Sequence, residues 1–177
     1  MPLTRKTLTA ALFALCATCA LAATPSKRDA LLAISVLEKS VVGPEASEAA
    51  KTIVIYAQLS EDVMVDIGPD QLPWLSESFG LDKDQEAECH SILLAAFVAG
   101  NIKSQIKNDK AEDDTYSGWL FAIQTYRRLQ AQEDFKSPSI EALARMQADG
   151  TLLKHAKDVQ QSLQQQEDQD MPRKPAA

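Results

Sequence analysis

Apolar positions recur along this chain mostly at helical spacing, and one stretch organises the rest. From Asp82 to Asn108 the sequence reads DKDQEAECHSILLAAFVAGNIKSQIKN, with no charged or strongly polar side chain between Ile92 and Gly100. Asp82 suits an N-cap, and Gln85 stands three residues on, where a capping box takes Glu or Gln. Asp84, Glu86 and Glu88 lie at the positive end of the helix dipole, Lys103 and Lys107 at the negative end. A helix apolar all round for more than two turns has to be covered on most sides. The apolar run is about half of the ~20 residues that a membrane span needs. The stretch therefore predicts the buried central helix of a bundle.

The flanking pattern supplies that helix with neighbours. Ser26 and Asp29 form a capping box ahead of Leu31, Ile34, Leu37 and Val41. Gly43-Pro44 ends this helix and opens a second, which carries Ala49, Ile53 and Tyr56 on one face and runs to about Leu59. Thr52 to Tyr56 is also β-prone, and Val63, Val65 and Ile67 alternate as in a strand. A lone two-stranded hairpin is marginal, so the expectation is helix over 52–56 and one short extended segment near 63–67. After the central helix, Asn108 to Asp114 reads as an exposed turn. Asp114 or Thr115 then caps a helix striped by Tyr116, Trp119, Leu120, Ile123 and Tyr126, forming an αα-hairpin with the central one. Ser137-Pro138 opens a fifth helix that ends near Asp149-Gly150, and Thr151 caps a sixth with Leu152, Ala156, Val159 and Leu163 on its apolar stripe. The fold class is all-α: an irregular bundle of five to six helices around a central helix at about 82–108, in one domain over residues 23–163. From 164 to 177 apolar content almost disappears, which predicts a disordered polar tail.

The first 22 residues fit an export signal rather than a fold. Arg5 and Lys6 make a basic start, Leu8 to Ala20 an apolar core, and Ala20-Leu21-Ala22 a cleavage site after Ala22. An uncleaved anchor fits less well, because the apolar segment is short and a cleavage site follows it. The address is periplasmic or secreted, with no membrane span once the signal is gone. Taking 22 residues from 177, Arg5 and Lys6 among them, leaves 16 Lys and Arg against 25 Asp and Glu, a net charge of −9. That balance argues against nucleic acid and anionic membranes as partners and suits a basic protein partner. Two of the three cysteines lie in the signal segment, so Cys89 stands alone and no internal disulfide can form. A buried thiol beside the apolar face is the expectation for it.

Candidate chemistry is sparse. Glu86 and His90 share a helix face at i, i+4 spacing, but further metal ligands would have to come from elsewhere, and Cys89 points about 100° away. A histidine at the edge of the apolar stripe explains His90 as well. Counting an EF-hand loop from Asp82 puts Ala87 where Gly is required and Leu93 where Glu is required. Neither G-x-S-x-G, H-E-x-x-H, a P-loop nor a Rossmann glycine pattern occurs. No catalytic, cofactor-binding or metal-ligating residue is assigned. The residues singled out for protein binding are Trp74, an anchor between Pro73 and Leu75, and the acids Asp109, Glu112, Asp113 and Asp114. Each has a plainer account: Trp74 as a lid on the core, the acids as a solvated turn with helix caps. The functional expectation is a non-catalytic exported protein-binding module, an acidic inhibitor or immunity-type protein that neutralises a basic envelope-acting enzyme or toxin. The alternatives are a periplasmic small-ligand or lipid carrier, and a hydrolase with carboxylates from separate helices.

Overall fold

The computed structural model describes residues 24–170. The expected signal segment, 1–22, and residues 171–177 of the expected tail lie outside the described residues. Six α-helices and one short 3-10 turn, Pro73–Ser76, make up the described chain, and it contains no strand. The helices are α1 (Lys27–Lys39), α2 (Pro44–Leu59), α3 (Lys83–Asn108), α4 (Thr115–Gln130), α5 (Pro138–Asp149) and α6 (Leu152–Asp170).

Their ends follow local chemistry. Ser26 and Asp29 close both halves of the capping box on α1. Gly43, at a φ of 87° that a side chain would disfavour, turns the chain so that Pro44 can start α2. Asp82 accepts from the backbone N–H groups of Asp84 and Gln85 to cap α3. Asp114 caps α4 through Ser117, and Ser137 caps α5 through Ile140. At the start of α6 the Thr151 hydroxyl instead donates to Asp149, while its carbonyl accepts from His155.

The apolar run of α3 is covered as the sequence requires. Every residue from Ile92 to Ile102 is buried except Leu94. The hairpin α1–α2 packs on one side of α3, α4 on the other, and α5 and α6 pack onto α4. Residues 52–56 are helical, and 63–67 form neither helix nor strand. The Ser47 hydroxyl on the first turn of α2 donates to Glu88 near the start of α3. Five residues beyond the end of α2, Met64 already meets Gln105 near the end of α3. Helices α2 and α3 are therefore parallel. The connection 60–82 has to run back along the bundle like a strap, and it buries Val63, Leu72, Trp74 and Phe79 on the way. One boundary differs from expectation. Helix α6 continues to Asp170, seven residues into the segment read as a disordered tail. Gln and Glu are good helix formers, so low apolar content there does not stop a helix already nucleated upstream.

Candidate functional site

The acidic turn between α3 and α4 is exposed from Asn108 to Glu112, as expected, and turns inward at Asp113 and Asp114. The Asp113 carboxylate accepts from Asn101 Nδ2 (2.7 Å), the Asp66 amide (3.0 Å), Thr115 Oγ1 (2.7 Å), the Thr115 amide (3.1 Å) and Gln160 Nε2 (3.0 Å). It thus ties the strap, α3, α4 and α6 to one point. Asn101 and Gln105 beside it are buried. Gln105 pairs with both backbone groups of Met64 (2.9 and 2.5 Å) and donates to Asn101 (2.6 Å). Burial works to raise the Asp114 pKa, but hydrogen bonds from Ser104 Oγ (2.5 Å), Ser117 Oγ (2.7 Å) and the Ser117 amide (3.0 Å) outweigh it and hold the carboxyl below its ordinary value. Such satisfied carboxylates are structural joints. Of the four acids, only Asp109 and Glu112 are exposed. Asp109 sits in the left-handed region (φ 51°) as the C-cap of α3, and Glu112 pairs with Lys110.

Trp74 requires a correction. It is fully buried, with its ring edge-on to Phe97 (centroids 6.4 Å apart), so it is the lid on the core rather than an exposed anchor. Trp74 lies in the 3-10 turn of the strap itself and turns inward, because an indole has a large apolar area to bury. The structure does not bring Trp74 and the turn acids onto one exposed face.

Other ionisable groups have structural contacts, and His90 Nε2 is buried without a hydrogen-bond partner among the described residues. Glu86 accepts from the Phe79 amide and Ser78 Oγ, both at 3.3 Å, and so fastens the strap; the His90 ring meets Phe79 at a 52° tilt with centroids 4.4 Å apart. His155 stacks on Trp119 at 5.1 Å. Burial, reinforced by Glu133, Glu88 and Glu86, pushes the Cys89 thiol up to about 11, which keeps it protonated and inert at neutral pH. Glu77 accepts from Ser137 Oγ (2.5 Å), the Ser139 amide (2.9 Å) and Ser139 Oγ (2.5 Å) at the start of α5. The carboxyls with shifted acidity among the described residues, Asp29, Asp114 and Asp149, are all shifted down, toward charge. A proton-donating catalytic acid needs the opposite shift. Among the described residues, no three His, Cys, Asp or Glu side chains gather as a metal site would require.

An apolar groove between α2 and α3 stands out instead. It encloses about 550 Å³ and is lined by Ser47, Ala50, Lys51, Val54 and Ile55 from α2, facing Ala87, Glu88, Ser91, Ile92 and Leu94 from α3. Leu94, the one residue of the central apolar run left partly uncovered, lies here. Ile55 is 41% exposed, and Leu59, one turn further along α2, is 58% exposed. Covering an isoleucine fully is worth about 1.5–3 kcal/mol, so Ile55 retains roughly 1 kcal/mol to gain from an occupant.

Sequence reasoning passed over this groove, although its signal is present. Ile55 lies about 200° around the helix from the buried Ile53, so the run Ile53-Val54-Ile55 makes α2 apolar on two faces. Read as β-propensity, that run hid a second apolar face. Comparison with protein-family models, curated proteins and solved structures finds no match to the chain.

Proposed function

We propose that this protein is a non-catalytic module that binds another protein through the groove between α2 and α3. The observation that carries the reading is the groove itself: an open apolar channel of about 550 Å³ flanked by the exposed Ile55 and the partly uncovered Leu94. Apolar surface gathered in a concavity and rimmed by polar groups is the usual form of an interaction site. The excess of acid over base directs it toward a basic partner, whose encounter the negative field accelerates. With the export signal read in residues 1–22, the sharper form is an inhibitor or immunity-type protein that neutralises a basic envelope-acting enzyme or toxin. A carrier of small ligands fits less well, because an open channel leaves much of a small molecule in water.

The test is capture from an envelope extract, followed by titration of the captured and purified protein. The expected result is one basic partner whose affinity falls as salt rises and falls at least tenfold in Ile55→Asp. Equal affinity of wild type and Ile55→Asp for that partner contradicts the groove reading. Failure to capture any partner at low salt contradicts the binding reading altogether.

A further inference from the structure

We infer that the occupant of the α2–α3 groove is an amphipathic helix flanked by Lys or Arg, an inference that rests on the reading of the groove as a protein-binding site. Three observations lead there. The walls are two parallel helices whose interior N–H and C=O groups are already paired within them, so they offer no backbone edge for an extended peptide to join. An occupant meets side chains alone and has to satisfy its own backbone. A helix does that.

The dimensions agree. On α2 the lining positions Ser47, Ala50, Lys51, Val54 and Ile55 fall at i, i+3, i+4, i+7 and i+8, one continuous stripe. From Ser47 to Ile55, and from Ala87 to Leu94, is about 11 Å of helix axis, or two turns. The small side chains Ser47, Ala50, Ala87 and Ser91 let a third helix approach closely, while Val54, Ile55 and Leu94 offer bulk for its apolar residues to pack against.

The charges fix the sign of the partner. Glu88 lines the groove and Asp84 lies one turn before it, while Glu61 and Asp62 follow the end of α2; all four are exposed. Lys51, the basic residue in the lining, already pairs with Glu48 (2.6 Å). Acids thus stand in the groove and beside it where α3 begins, and two more follow the helix that forms its other wall. They disfavour a second copy of this acidic chain and favour a helix with Lys or Arg at its flanks.

The probe is a synthetic peptide of about 14 residues, with Leu at i, i+3, i+4 and i+7 and Lys elsewhere, beside a Leu/Glu peptide of the same pattern. The full folded chain is titrated and its amide shifts followed by NMR. The Leu/Lys peptide is expected to bind in the micromolar range and become helical, with shifts centred on Ala50 to Ile55 and Ala87 to Leu94. Its affinity is expected to fall at least tenfold in Ile55→Asp and in Ala87→Arg, two exposed positions where the fold tolerates change, and to be unchanged in Leu153→Asp. The Leu/Glu peptide is expected not to bind. Equal binding of both peptides, shifts elsewhere, or no loss in the two groove variants overturns the inference. Loss of a purified protein partner in Ile55→Asp, while the Leu/Lys peptide fails to bind wild type, also overturns it but leaves protein binding through the groove standing.

Discussion

At the scale of single residues, two glycines set how the bundle closes and one carboxylate sets how it responds to acid. A Cβ at Gly100 on α3 would overlap the backbone oxygen of Ser117 on α4 and come within 2.9 Å of Phe121 Cβ. One at Gly118 would lie 2.6 Å from the Phe97 ring. Helix propensity alone favours alanine over glycine by about 1 kcal/mol. Overlap with a backbone atom outweighs that, and Gly100→Ala is expected to destabilise by about 1–3 kcal/mol net in urea unfolding. A gain in stability would show that α3 and α4 are further apart than described. Asp114 sets a pH response. Its folded-state pKa lies below the unfolded value of 3.8, so its contribution is fully present above that value and is lost as pH falls through the lower folded value. Stability is therefore expected to decline as pH falls below about 4, and to decline less steeply in Asp114→Asn. Identical acid profiles for the two proteins would remove Asp114 from the account.

The helices and the strap differ in how each is held. The helices carry their own backbone bonds, whereas residues 60–82 are fastened mainly by side chains: Gln105 on Met64, Asp113 on the Asp66 amide, Trp119 on the Gln71 carbonyl, and Glu77 on the start of α5. The underside of the strap also buries the side-chain amide of Gln71 and the indole N–H of Trp74 without hydrogen-bond partners among the described residues, each at a cost of about 1–3 kcal/mol. A segment so held opens below the global unfolding free energy. Amide exchange in 61–81 is expected to be faster than in the middle of α3 and α4, and Glu77→Gln to quicken the strap further while α3 stays protected. Uniform exchange across strap and core would contradict this. The same contrast explains what could be read from the chain. Caps such as Ser26–Asp29, Asp82 and Ser137-Pro138 act between near neighbours, and they placed the start of most helices. The joint at Asp113 draws on Asp66, Asn101, Thr115 and Gln160, from four elements, so a local reading saw only an acidic turn. The burial of Trp74 depends on where the strap runs, and the groove on two helices lying parallel. Neither is carried by local spacing.

For the whole molecule, the central claim is that the working surface is the apolar groove on the α2–α3 side and not the acidic turn. The central helix is closed off by α1, α2 and α4 almost everywhere, and Leu94 marks where that cover is incomplete. The strap 60–82 carries six acids and no base; Glu61 and Asp62 follow α2 directly, whereas Glu77 lies at the start of α5 and Asp82 caps α3. The most direct measurement is photocrosslinking in intact cells, with benzoylphenylalanine placed at Ile55, at Glu112 in the turn, or at Leu153, an exposed apolar position on α6. The account predicts one discrete crosslinked protein from position 55 and none from 112 or 153. A product from 112 or 153 with nothing at 55 would contradict it.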